Sequence, residues 1–304
     1  MDKAWHKTIG VKVDVDTDVG MKNGVPVLLE LFRKYGIHAS FFVPMGKDHT
    51  GRTAKRVFTK KGFLKKAGRV GVLSTYGVKT LMYGLVLPGP EIARENGPVL
   101  RRITGEGHEA GIHGLDHVYW HDHIKSLGKA RTVKDLEKAF TVYREVLGNP
   151  PVSFAAPGWM INGHALNWFE EKGFIYSSDT RGSYPFRPIL GGEKFKVLQI
   201  PSSLPTLDEM VGIAGTDQKA LADHFFSRLT DGLNILTVHT ELEGKRWTGF
   251  LESFVVEALR DSFTFVRLID IAARYEKGEN TPSCEIVYGH VEGRAGEVSL
   301  QKTS

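Results

Sequence analysis

Asp14 and Asp16 stand two residues apart at the end of the alternating segment TIGVKVDVDT. In an extended strand that spacing sends both carboxylates out of one face. Adjacent carboxylates repel, and a divalent metal held by one of them relieves the repulsion and leaves the other as a base. The same residues also read as a strand end entering a solvated turn. His113 and His117 lie four residues apart, so one helical turn or a compact loop brings both imidazoles to a common point. A carboxylate with two histidines, and open positions for water, makes a hydrolytic or redox metal site. His121 and His123 follow nearby and read as loop histidines.

Each of these groups falls after a segment that reads as a strand. His113 follows Glu109 to Ile112, the Pro157-Gly158-Trp159 turn follows Val152 to Ala156, Asp179 follows Phe174 to Ser177, and His239 ends Leu233 to His239. Strands are also expected at His38 to Pro44, Val197 to Pro201 and Thr264 to Val266. The helices expected between them are Lys22–Tyr35, Glu91–Ile103, Thr132–Leu147, Ala165–Glu171, Gln218–Arg228, Phe250–Arg260 and Leu268–Tyr275. Alternating strands and helices in about seven units predict an α/β fold, a parallel barrel that carries its chemistry at the carboxyl ends of its strands. Residues 1–304 read as one domain. It carries a basic amphipathic insertion over residues 51–90 and a loosely packed extension over 277–304, with one short strand near Ile286.

At 304 residues, 41% hydrophobic and 25% charged, the chain has the composition of a globular protein with a sizeable core. Cys284 is its single cysteine, which excludes an intrachain disulfide and favours a reducing compartment. No window has the roughly 20 apolar residues of a spanning helix, and the N-terminus lacks the apolar core of a secretion signal. The expected location is the cytoplasm. The net charge of +5 is unevenly spread. From Gly51 to Pro90 there is no acid, and basic residues alternate with apolar ones through Lys60, Lys61, Phe63, Leu64, Lys65 and Lys66. That mixture predicts contact with an anionic membrane surface. No nucleic-acid-binding module accompanies the charge, so no nucleic acid is expected as partner.

The order D-x-D, H-x-x-x-H, Pro-Gly-Trp, Asp179 and a late Leu-x-x-His resembles the polysaccharide deacetylases of carbohydrate esterase family four. The longer stretches HGLDHVYW, SSDTRGSYPFRP, IPSSLPTLDE and VHTELEG resemble one branch of that family more closely. That branch removes the formyl group from undecaprenyl-phosphate-linked 4-deoxy-4-formamido-L-arabinose in lipid A modification. The resemblance implies a distorted (β/α)7 barrel of the NodB type and one divalent metal ion, whether zinc, cobalt, manganese or nickel. It also implies a lipid-linked aminosugar substrate and peripheral attachment to the cytoplasmic face of the inner membrane. Matched residue by residue, it makes Asp16, His113 and His117 the metal ligands and Asp14 the general base. His239 becomes the general acid, Asp179 the group that orients it, and Pro157, Gly158 and Trp159 a substrate-binding turn.

Two departures separate this chain from the wider family. Val15 parts the two aspartates, which leaves room for their roles to be exchanged. Ala155 stands where the family carries an arginine beside the base, so Arg181 or Arg187 is expected to take that place as well as to bind substrate. The competing readings are an N-deacetylase of a polysaccharide or of another lipid-linked aminosugar, and a non-catalytic membrane-associated binding protein.

Overall fold

The computed structural model describes residues 5–55, 77–276 and 281–302. Lys60, Lys61, Phe63, Leu64, Lys65 and Lys66, read from the sequence as the membrane contact, lie outside them. The first strand, β1 (Thr8–Asp14), is buried at every position. A strand covered on both faces belongs in the middle of a parallel sheet with helices outside it. It pairs along its length with β9 (Leu233–His239). Its other edge is shared in succession by β10 (Thr264–Val266) and β2 (Ser40–Val43). The sheet continues through β3 (Glu109–Ile112), β4 (Ser153–Phe154), β5 (Tyr176–Ser177) and β8 (Leu198–Gln199), parallel at every pairing. Beyond β8, the N–H groups of Ser203 and Leu204 donate to the Ile235 carbonyl of β9 at 3.3 and 3.2 Å, which curls the sheet toward closure. The α/β fold expected from the sequence is the one observed, as a curled parallel sheet.

The helices around this sheet have legible ends. The helix Val25–Tyr35 stops at Gly36, whose φ of 65° a side chain would resist. It buries Leu28, Leu29 and Phe32 against the sheet, and a π-turn at Gly20–Gly24 precedes it. The helix expected over Glu91 to Ile103 is broken in two, Ile92–Glu95 and Gly97–Gly105. At the break the Asn96 side chain donates to Asp18 Oδ1 and to the Ile92 carbonyl, both at 2.8 Å. Pro98 then opens the second helix.

A second, four-stranded sheet was not expected. It holds β6 (Arg187–Leu190), β7 (Glu193–Lys194), β11 (Ser283–Gly289) and β12 (Val298–Gln301) in the order β12-β11-β6-β7. The extension over 277–304 is therefore not loosely packed in its described part. Val298 and Ser299 are fully buried, and β12 exchanges backbone hydrogen bonds with Arg181. The packing comes from β6, about a hundred residues upstream, which local pattern cannot reveal.

Behind β3, His108 accepts the Ala39 N–H at Nδ1, at 3.0 Å, with the rings of Phe32, Phe41 and His38 around it. Burial, aided by the charge of His38, pushes its pKa down from 6.5 to about 4. The folded state therefore holds a neutral ring that the unfolded chain protonates first. That stability is present above pH 6.5 and is lost as the pH falls toward 4, by about 3 kcal/mol. Urea unfolding at pH 7 and pH 4.5 should show His108→Gln losing less stability on acidification than the wild type.

Candidate metal centre

Asp16, two residues past β1, places its Oδ1 3.4 Å from His113 Nε2 and 3.2 Å from His117 Nε2. One ligand atom from each of the three lies within 4.8 Å of the others, and among the described residues this is the only such group. Each side chain is held from behind. The Asp16 N–H donates to Glu241 Oε1 at 3.1 Å, and the same carboxylate oxygen takes the N–H and hydroxyl of Thr17. His113 follows β3, and its Nδ1 lies 2.8 Å from the Ala155 carbonyl. A carbonyl only accepts, so Nδ1 carries the proton and Nε2 offers its lone pair to the cluster. His117 opens the helix His117–His123, capped by Asp116, which accepts the Tyr119 N–H at 3.0 Å. The other oxygen of Asp116 binds His49 and Arg52.

Asp16 Oδ1 is buried with no hydrogen-bond partner, facing two ring nitrogens. A buried acceptor among acceptors has the chemistry of a cation site, and one carboxylate with two imidazoles suits a divalent metal of the first transition row. Burial raises the Asp16 carboxyl, but the nearby imidazoles of His117 and His113 outweigh it and hold it well below the usual range.

Beside the cluster stand Asp14 and His239, opposite each other in the β1–β9 register. Asp14 is 3% exposed, with Oδ2 3.0 Å from Lys12 Nζ and Oδ1 without a hydrogen bond. His239 donates its backbone N–H to Glu243 Oε2 at 2.9 Å, and its ring lies edge-on to Trp159 at 6.3 Å. Burial lowers the pKa of His239, yet the fields of Asp208, Asp16, Asp14 and Glu243 together raise it above the ordinary value. Burial also pushes Glu241 and Glu243 up to about 7 each.

Other expectations are met differently. Asp179 is fully buried, and its Oδ2 accepts from Gln199 Nε2 at 2.7 Å, while His239 Nδ1 has no hydrogen-bond partner. The two are thus not joined through that nitrogen, and the carboxylate whose field acts most on His239 is Asp208. Burial pushes Asp179 up to about 6. Neither expected arginine takes the place beside the base. Arg181 makes a two-pronged bond to Glu209 at 2.7 and 3.0 Å, and Arg187 donates to the Lys196 carbonyl. The cation beside Asp14 is Lys12. The Pro157-Gly158-Trp159 turn is buried, and the Trp159 N–H is already bonded to the Ala156 carbonyl at 3.1 Å. Gly158 has a φ of 65°, and a Cβ there would lie 2.4 Å from His121 Cδ2, so His121 packs on the turn. Sequence reading missed Lys12, Glu241, Glu243 and Asp208. Lys12 was legible, being two residues before Asp14 on the same strand face.

The polysaccharide deacetylase pattern matches residues 7–176. A "probable 4-deoxy-4-formamido-L-arabinose-phosphoundecaprenol deformylase" of Shewanella sediminis is 33% identical over 96% of this chain and 94% of its own length. A protein of the same description from Wigglesworthia glossinidia brevipalpis is 32% identical over 93% of this chain and 99% of its own. Among solved structures, a "putative polysaccharide deacetylase" from Mycobacterium smegmatis superposes with a TM-score of 0.63 at 19% identity, covering 93% of this chain and 94% of its own. That last likeness is one of fold.

His113→Ala and His117→Ala should each lose bound metal while the far-ultraviolet dichroism of the sheet and helices persists. Asp16→Asn should lose metal too, whereas Asp14→Asn should keep it and lose about 10²-fold in turnover. Metal analysis of the purified variants checks this, and the reverse pattern would exchange the two aspartates.

Proposed function

Because the chain belongs to the polysaccharide deacetylase family, we propose that it is a metal-dependent deformylase. Its substrate on this reading is undecaprenyl-phosphate-linked 4-deoxy-4-formamido-L-arabinose, and its products are formate and the free amine. The observation that carries this is the convergence of Asp16, His113 and His117 with Asp14 and His239 at one rim of the sheet. The substrate is that of relatives similar to this chain over nearly its whole length.

Asp16, His113 and His117 would hold a divalent cation, which would supply Lewis-acid polarisation of the formamide carbonyl and acidify water there. Zinc, cobalt, manganese and nickel all suit these donors. Asp14, buried beside the cluster, takes the proton of the water that attacks the carbonyl carbon. An amide nitrogen is a poor leaving group unless protonated as the C–N bond breaks. His239 gives that proton, and the surrounding carboxylates raise its pKa and so favour its charged form. Formate departs with the water oxygen, and the sugar retains its amine.

A substrate on a polyprenyl phosphate brings the enzyme to a lipid surface, at the cytoplasmic face of the inner membrane. Among the described residues no helix is long and apolar enough to cross a membrane. Next to the basic segment, Val78 and Val86 are 66% and 70% exposed, with Leu85 beside them. Exposed apolar side chains adjoining a polybasic stretch suit peripheral binding to anionic lipid.

Mass spectrometry of formamido- and acetamido-sugar lipids incubated with the enzyme should show formate release from the first, abolished by chelator. Preferential turnover of the acetylated compound would support an N-deacetylase instead. His239→Ala should lose far more activity on the formamide than on an activated formyl ester, because the ester leaving group needs no proton. Equal losses would give His239 a different role. Replacing Lys60, Lys61, Lys65 and Lys66 with glutamine should release the protein from anionic liposomes while sparing turnover of a short-chain soluble analogue. Unchanged liposome binding would remove the membrane reading.

A further inference from the structure

We propose that Lys12 is the positioning residue of the base, holding the Asp14 carboxylate in place beside the metal cluster. This rests on the reading of Asp14 as base. Lys12 is fully buried, an unusual place for an ammonium group unless its charge is compensated. Its Nζ lies 3.0 Å from Asp14 Oδ2 and 4.9 Å from the centre of the Trp159 ring, and it has no hydrogen-bond acceptor besides that ion pair. The ammonium therefore sits between its paired carboxylate and one aromatic face, and its charge also reaches the buried carboxylate of Asp179. Being two residues apart on β1, Lys12 and Asp14 leave the strand on the same side, so the pairing is set by the backbone.

The aromatic wall is itself locked. Trp159 donates its indole N–H to Ser202 Oγ at 2.9 Å, and Ser202 Oγ lies 2.7 Å from Thr237 Oγ1. Thr237 is the residue of β9 opposite Lys12 in the register. A ring fixed to the neighbouring strand cannot swing aside, and its negative face holds the ammonium. With Oδ2 engaged by Lys12, Oδ1 remains as the oxygen without a partner. Because Lys12 has no exposed surface, it acts through Asp14 and does not touch substrate. Its loss should lower kcat and leave KM and the metal in place.

The experiment uses the metal-loaded enzyme and formate release from the formamido sugar, with metal content and thermal midpoint measured on every variant. Lys12→Met should keep its metal and lose about 10²-fold in kcat with KM little changed. Lys12→Arg, which retains the charge, should recover most of that loss. Adding Lys12→Met to Asp14→Asn should cost no further kcat, as expected of residues acting as one unit. The double variant should also melt above Lys12→Met, because it no longer leaves the Asp14 carboxylate buried without its ion-pair partner. Where Lys12→Met does not fold, Lys12→Gln supplies the same comparisons. Wild-type kcat in Lys12→Met, a rise in KM alone, no recovery in Lys12→Arg, or equal midpoints for the single and double variants would each overturn the proposal. Asp14→Asn with wild-type kcat would instead overturn the assignment of the base, and this inference with it.

Discussion

Buried negative charge at the carboxyl end of β1 is the constraint around which the rest is arranged. Asp14, Asp179, Glu241 and Glu243 are all at most 3% exposed, and Asp16 stands among them. A protein interior does not tolerate such a group of like charges without compensation. Three kinds of compensation meet here. Lys12 pairs with Asp14, and His113, His117 and His239 place three imidazoles around the carboxylates. Burial pushes Glu241, Glu243 and Asp179 up to about 7, 7 and 6, which favours their neutral forms. Asp16 is held well below the usual range by the imidazoles of His117 and His113 beside it.

Bringing these groups together requires backbones to approach more closely than side chains allow. Glu241 reaches under Asp16 because the π-turn before the first helix packs directly on the turn after β9. A Cβ at Gly20 would lie 2.0 Å from Glu241 Oε1, and one at Gly24 would lie 2.1 Å from the Thr240 carbonyl oxygen. The glycines of GMKNG therefore belong to the site as much as its carboxylates do. Packing, polar support and ligand position are set by one contact between two loops.

Much of this was legible in the sequence where local pattern decides. Leu233 to His239 and Thr264 to Val266 are strands at the expected bounds, because β-branched runs between polar turns leave little choice. The cluster of Asp16, His113 and His117 was named through the family resemblance, since spacing alone left open which aspartate joins the two histidines. What escaped depends on distant partners. Asn96 breaks a helix because Asp18 waits across the fold to accept its amide. Asp208, on a short helix after β8, influences His239 more than Asp179 does, which only the tertiary path of the chain determines. Lys12 was in plain view, but its burial was not, since a lysine between apolar strand residues is ordinarily the solvated face.

Trp159 joins these levels. Its ring carries Lys12 on one contact and the edge of His239 on another, while Arg181 and Arg294 lie 5.1 and 4.5 Å from its centre. Arg294 comes from the connection between β11 and β12, so the C-terminal segment reaches the wall of the site. The same segment fixes the turn's surroundings, since Ser299 of β12 accepts the Ile161 N–H through its hydroxyl and the Arg181 N–H through its carbonyl. Glu209 in turn holds Arg181 and lies 3.8 Å from Arg294. Trp159 can keep a φ of 53°, costly for a side chain of that size, because contacts on every side over-determine it. The second sheet is thus the outer support of the ring against which the base and its lysine are held.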